Sequence, residues 1–416
     1  MDYRIGHTCR YPAGRLLWEE WRLQPRHHTG LREMNSCGVK RMSKRRIAAN
    51  ELGIGTVLAW DAYDEHGRLL LRKGLVVSTS TQIEGLIDRG LFIDAQVRDR
   101  GPVVVHESTP SAAGSVMEAR RRLQILCAGD AAKSDFSQQL LGIVRLINSA
   151  CRLNQEAALA TSLWQQEGRY SIRHSVDAAV ACQAIGSTLK MDEEDLESTV
   201  AAALTMNVSI LQLQDSLQRQ REPLTPEQHA VIQNHPEASA VLLRELGVTD
   251  EAWLQAVVSH HEAIDGSGYK HGTAGDEIPV PAQLVSLADI YCARISSRSY
   301  RPALRPNAAL RKLFLEQGKK VRDGLASQFI KAIGVFPPGT PVRLENGEIA
   351  VVTERGESAS TPQVCSIIGP RGMPLAAPVK RDTSRPTYGV REVVDWSAVG
   401  AMPPMHALWG KHGALD

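Results

Sequence analysis

Two consecutive histidines, His260 and His261, stand four residues ahead of the loop Asp265-Gly266-Ser267-Gly268-Tyr269, and these residues are the best suited to chemistry in the chain. On a helix, adjacent side chains point about 100° apart. The two imidazoles can then serve two metals, or one metal and a substrate phosphate. Imidazole suits iron, manganese, nickel or zinc, and carboxylates extend the set toward harder ions. His174, His235 and Asp289 lie on three other predicted helices, each beside an apolar stripe, and a bundle interior can gather such residues. Any one of these histidines alone is more often a hydrogen-bonded core or surface residue than a ligand. The loop permits a tight glycine turn and offers backbone N–H groups to an anion, although Asp-Gly-Ser-Gly also occurs in many plain loops. Glu262 and Asp265 could form an acid/base pair, but helix-end capping and solvation is the simpler account of Glu262. His229 and His271 read as surface residues.

These side chains need a helical frame, and the periodicity over 116–335 supplies one. Ile172, Val176 and Val180 repeat every four residues, as do Leu196, Val200 and Leu204. Thr225-Pro226-Glu227-Gln228 opens a helix with Thr as cap, Pro at the first position and Gln at the third. Asp250 caps another, whose stripe is Trp253, Val257, His260 and Ile264. A further helix follows Pro281, with Leu284, Leu287, Tyr291 and Ile295 inward. The fold expected is mainly α, a helical-bundle domain flanked by small β elements. On the N-terminal side, 51–100 reads as a small α+β module. Its strands are Thr56–Trp60 and Arg68–Arg72, joined across Asp64–Gly67, and a helix follows from Ser78 to Leu91. Residues 101–115 read as a linker. On the C-terminal side, Asn346-Gly347 between Val342–Leu344 and Ile349–Val352 marks a hairpin within a β extension spanning 336–395, and 396–416 reads as a tail.

Composition excludes several classes. With 43% hydrophobic and 23% charged residues and a formal charge of +2, the chain is an ordinary globular protein rather than a general nucleic-acid binder. Residues 1–48 are basic and lack apolar periodicity, so they read as a disordered arm, or as residues upstream of a start near Met34 or Met42. No run approaches the ~18 apolar residues of a membrane span. Seven scattered cysteines without a C-x-x-C pair favour reduced thiols and a cytoplasmic location.

Together, several segments resemble the HD-GYP family. They are His260-His261-Glu262, the 265–269 loop, Gly272, Gly275, Ile278-Pro279, Ala282, Ala288-Asp289-Ile290-Tyr291 and Arg298-Ser299-Tyr300-Arg301. His174-Ser175, Leu224–Glu227 and Asn234-His235-Pro236 extend the resemblance upstream, and Gly334–Thr340 and Val342–Glu348 extend it downstream, so it covers roughly residues 165–355. The resemblance implies an HD-type domain and a metal-dependent phosphodiesterase acting on cyclic di-GMP, a bacterial second messenger. It implies His174, His235, His260, His261 and Asp289 as ligands of a divalent transition metal, iron or manganese. It also implies a nucleotide near Asp265, Gly266, Gly268 and Tyr269, with Arg298 and Arg301 by the phosphates, where a guanidinium can pair with two oxygens. A diguanylate cyclase-type protein docking on the Gly268-Tyr269 loop is the protein partner it suggests.

The sequence departs from the family where the His-Asp dyad belongs. Met206 stands in place of the His, Asn207 in place of the Asp, and Ile210 in place of a Lys. A neutral carbonyl cannot compensate two dications as a bridging carboxylate does, and a thioether is too soft for these metals. Lys270 replaces the Pro of the Gly-Tyr-Pro triplet. The expectation is therefore an impaired enzyme acting by ligand or partner binding, the alternative being turnover with a reduced ligand set.

Overall fold

The computed structural model describes residues 44–46, 62–66, 69–71, 92–94, 110–128, 135–316, 319–356, 358–396, 399 and 402–415. The chain forms two units, one holding the strands before residue 110 and the other everything described after it.

In the first unit, β1 (Lys44–Arg46), β2 (Ala62–Tyr63), β3 (Leu69–Leu71) and β4 (Phe92–Asp94) form an antiparallel sheet of order β1-β4-β2-β3. A hairpin turns near the expected place, but its first strand is β2 at Ala62–Tyr63, with Tyr63 opposite Leu69 of β3. The expected strand 56–60 and helix 78–91 lie outside the described residues. Strand β1 falls inside the segment expected to be an arm. Its Lys and Arg side chains carry no apolar signal, and its register comes from backbone pairing with Phe92–Asp94.

The second unit is a helical bundle with a sheet packed on one end. Its helices are α1 (Ala112–Cys127), α2 (Phe136–Trp164), α3 (Tyr170–Leu189), α4 (Glu193–Thr205) and α5 (Leu211–Arg219). They continue as α6 (Pro226–Glu245), α7 (Glu251–Ser259), α8 (Val280–Ile295), α9 (Pro306–Leu315) and α10 (Leu325–Ile333). Helix α1 begins inside the stretch read as linker, because Ser111 caps it by accepting from Gly114 N at 2.8 Å. Helix α2 breaks at Asn154, whose side chain caps the second half through Ala157 N at 2.8 Å. Helix α3 is the central element, buried along nearly its whole length, and it packs on α2, α4, α8 and α10. The cap at Thr225 forms the reciprocal capping box, and Asp250 accepts from Trp253 N at 2.9 Å, both as the sequence indicates. Among the described residues, Glu193–Arg219 is apolar enough to cross a membrane by composition, but it is two helices joined by a 3-10 turn and is mostly buried in this core.

After α10 come β5 (Pro341–Leu344), β6 (Ile349–Glu354), β7 (Gln363–Ile368), β8 (Pro374–Asp382) and β9 (Val390–Val393), ordered β8-β7-β6-β5-β9. The Asn346-Gly347 hairpin pairs β5 with β6 as expected. One face of the sheet packs on Ala157, Ala160 and Trp164 of α2, together with Met405, Leu408 and Trp409. Residues read as a tail therefore fold back as a short helix, α11 (His406–Trp409). Trp164 meets the rings of Trp396 and Trp409 edge-on at 4.7 and 5.4 Å, and Trp409 Nε1 donates to Thr353 O at 2.9 Å.

A buried ion cluster joins the first three helices. Arg120 of α1 donates to Asp177 of α3 at 2.6 Å and to Gln165 O at the end of α2 at 2.7 Å. Arg173, one turn from Asp177, donates to Gln166 O. Its guanidinium is shifted to lower pKa by burial and by repulsion from Arg120, while Asp177 acts the other way. Arg120 thus pairs directly with Asp177, and the charge of Asp177 also acts on the buried Arg173.

Candidate metal centre

His235, His260 and His261 converge, with one ligand atom of each within 4.8 Å of the others. Proline geometry positions the first. Pro236 sits inside α6 and has no N–H to give the carbonyl four residues back. That carbonyl belongs to Ile232, and the His235 Nδ1 bonds it at 2.6 Å. Helix termination positions the others. Helix α7 ends at Ser259, where the last carbonyls lose their helical partners, and His260 Nδ1 bonds Val257 O at 2.6 Å. The sequence expectation of helical side chains about 100° apart is corrected here. Beyond the helix end, the rings of His260 and His261 lie 4.1 Å apart between centroids and face the same partner, His235.

This arrangement fixes tautomers. A carbonyl only accepts, so the Nδ1 of both His235 and His260 carries hydrogen. In neutral rings both Nε2 atoms then present lone pairs, and these face each other at 3.2 Å. Burial, followed by the charge of His260, pushes His235 down to about 4. Burial likewise lowers His260, and takes His261 well below its ordinary value. Two bare lone pairs at this separation, in rings that resist protonation, suit a cation held between them. The donor set therefore fits a divalent transition metal.

His174 and Asp289 form a second pair, Nε2 to Oδ1 at 2.7 Å. Burial alone would raise the Asp289 carboxyl, but the His174 hydrogen bond and the surrounding imidazoles hold it well below the usual range. Its charge also acts on His235, His260 and His261.

The loop closes over one side. Gly268 passes so near Glu262 and Ala263 that a Cβ would lie 2.4–2.5 Å from their backbone atoms, so only glycine fits. Tyr269 consequently turns inward and stacks on His261 at 4.7 Å. Lys270 is held by Glu237 at 2.7 Å and by Asn234. Glu262 is 3% exposed and accepts from His271 N at 2.7 Å, so it fastens the loop rather than facing solvent. Asp265 and Gly266 remain at the rim. Asp265 is exposed and accepts from Ser267 N, and bonding to Ser267 lowers its pKa.

The dyad segment lies between the histidine-bearing helices. Thr205 Oγ1 accepts from Trp253 Nε1 of α7 at 2.7 Å, and Ser209 Oγ donates to the His235 carbonyl at 3.2 Å. Between these ties, Met206 is wholly buried in the apolar core, and Asn207 and Ile210 are buried beside it. The two arginines differ. Arg301 donates to Ala293 O at 2.7 Å, a structural bond to α8. Arg298 donates to Tyr170 Oη at 3.1 Å and to Tyr300 Oη at 2.8 Å. Tyr170, four residues before His174 and stacked on it at 5.4 Å, is a site residue that sequence reasoning missed. The sequence signal available was a helical i, i+4 aromatic partner.

The histidines also set a pH response. His235 binds its proton at about 4 when folded and near 6.5 when unfolded, so the unfolded chain binds more protons between those values. Its share of stability is complete above pH 6.5 and is lost as pH falls toward 4, about 3 kcal/mol in all. His260 and His261 act in the same direction. Urea midpoints of chelator-treated protein should fall steadily from pH 7 to 4.5, and a flat profile would contradict the buried neutral cluster.

A helical domain that gathers three histidines and a His-Asp pair under a glycine loop has the build of an HD-type metal-site protein. Residues 150–324 match the HD domain family, and the chain is similar there to proteins named as cyclic di-GMP phosphodiesterases. The chain is 26% identical over 276 residues to cyclic di-GMP phosphodiesterase PA4108 of Pseudomonas aeruginosa, covering 63% of this chain and 66% of that protein. It is 30% identical over 139 residues to the cyclic di-GMP phosphodiesterase response regulator RpfG of Xanthomonas campestris, covering 32% of this chain and 36% of that one. Among solved structures it is similar to Bd1817, a HDG"Y"P protein from Bdellovibrio bacteriovorus. The TM-score is 0.46 and the identity 15%, covering 70% of this chain and 99% of the other. The chain thus spans two thirds or less of the curated relatives' own lengths.

Proposed function

We propose that this protein is a cyclic di-GMP-binding member of its family whose hydrolytic power is impaired. The observation that carries this reading is Met206, wholly buried among apolar side chains at the position where the family's dyad histidine would stand. Asn207 next to it brings a neutral amide where a bridging carboxylate would neutralise metal charge. The remaining machinery favours binding. His235, His260 and His261 would hold a transition metal, iron or manganese, which when bound supplies Lewis-acid charge to a phosphate oxygen. Arg298 would meet the phosphates with a guanidinium already oriented by two phenols. Asp289 keeps His174 in place and supplies the negative charge that favours cations nearby. Lys270 is engaged by Glu237 and Tyr269 by His261, which weighs against a diguanylate cyclase-type partner reading this loop.

A second reading, turnover with a reduced ligand set, is favoured by the intact His174–Asp289 pair. One experiment separates the two. Purified protein is analysed for bound transition metal, then incubated with cyclic di-GMP and added manganese or iron. The expected result is nucleotide binding by calorimetry with no linear product. Turnover by metal-loaded protein would overturn the impaired reading, and absence of any binding would overturn the nucleotide reading.

A further inference from the structure

A continuous line of contacts runs outward from the buried end of the site to the surface. Asp289 bonds His174, the His174 ring stacks on Tyr170, Tyr170 accepts from Arg298, and Arg298 donates to Tyr300. His174 and Tyr170 are buried, whereas Tyr300 is 55% exposed. An exposed aromatic side chain usually hangs on a mobile surface, but this one does not. Arg298 N bonds Arg301 O at 2.9 Å, and Arg301 N returns the bond at 3.0 Å, closing a tight turn around Tyr300. Ser299 N bonds Gln218 O of α5 at 2.9 Å, and Arg301 Nη2 bonds Ala293 O of α8 at 2.7 Å. The turn is therefore tied to two helices of the bundle.

The chemistry at its tip is that of a nucleotide site. The Arg298 guanidinium lies 6.0 Å from the Tyr300 ring centre and 5.6 Å from that of Tyr170. Each of its terminal nitrogens has given one hydrogen to a phenol and keeps a second. A fixed guanidinium beside a fixed, solvent-facing aromatic ring matches a phosphate joined to a flat base.

We propose that Tyr300 is the stacking face for a purine base of the bound nucleotide, and that Tyr170 is the positioning residue that aims Arg298 at the adjoining phosphate. This rests on the nucleotide-binding reading above and deepens it, because neither tyrosine ligates metal. Tyr170→Phe keeps the ring on His174 and removes one of the two phenol bonds that hold Arg298. Tyr300→Phe keeps the stacking face and removes the other phenol bond to Arg298.

Calorimetric titration with cyclic di-GMP tests the assignment, with metal content measured on each variant. Tyr300→Ala should weaken binding about tenfold or more, the scale of one lost base–aromatic stack. Tyr300→Phe should lose clearly less than Tyr300→Ala, since it keeps the stacking ring and removes only one of the two phenols on Arg298. Tyr170→Phe should also weaken binding, with metal content unchanged. Wild-type affinity in Tyr300→Ala would overturn the stacking role, and wild-type affinity in Tyr170→Phe would overturn the positioning role. If wild-type protein binds no cyclic di-GMP, the functional reading itself fails, and the subsite is then judged with GMP alone. Affinity for GMP that Tyr300→Ala loses sustains it. Equal affinity, or none in either protein, overturns it.

Discussion

Placing His and Asp at the two expected dyad positions, Met206→His with Asn207→Asp, should raise the release of linear product from cyclic di-GMP. The gain in turnover should exceed ~100-fold, since this replaces direct ligands and even outer-shell changes cost 10–100-fold. The local geometry supports the attempt. The segment is pinned on one side to Trp253, on the helix leading to His260, and on the other to the carbonyl of His235 itself. New side chains at 206 and 207 therefore arise between the helices that carry the histidine cluster. Asn207→Asp alone should raise metal content if its carboxylate reaches the histidine cluster, since a negative charge there stabilises a cation. Met206→His alone should do less and cost stability, as it places an imidazole in an apolar pocket without added charge. Metal analysis and chromatography of the nucleotide products would check both steps. Equal product from wild-type and double-variant protein would remove the basis for calling the natural site impaired.

The second large effect concerns stability. Asp177→Ala should destabilise the helical unit by about 3–5 kcal/mol, the cost of leaving a buried charge without its partner. Arg120 and Arg173 are 5% and 7% exposed; Arg120 donates to this carboxylate and its charge acts on Arg173, so its loss leaves two buried cations that repel each other. Arg120→Met should cost clearly less, because Asp177 then still balances Arg173. Urea unfolding of the two variants gives the comparison, and an equal loss in both would argue against Asp177 balancing Arg173.

The parts legible in the sequence are those written by local rules. Thr225 and Asp250 announce their helices through side-chain capping, and Asn346-Gly347 announces its hairpin, because those bonds span only a few residues. The histidines were legible as a set through the family resemblance, but their convergence was not. It depends on α7 stopping at Ser259 and on Pro236 freeing the Ile232 carbonyl, neither of which periodicity reports. The Arg120–Asp177 pair joins residues 57 apart, and no pattern along the chain marks it. Strands β7 and β8 were blurred because β7 is buried on both faces while β8 is mostly exposed, so neither gives a clean alternation. Trp409 looked like part of a tail because its partners, Trp164 and Thr353, are remote in sequence.

The cap of α1 has a consequence for how the protein is made. Ser111 Oγ donates to Ala414 O at 2.5 Å, a bond across 303 residues. Near it, Gly114 would bring a Cβ within 3.4 Å of that same oxygen. During synthesis the first helix of the domain emerges long before its closing partner exists. Chains grow at about 5–20 residues per second, so the beginning of α1 waits some tens of seconds for residue 414. Until then the alanine face of α1 and the Trp164 surface stand open on the ribosome, and nascent-chain contacts with chaperones should concentrate there.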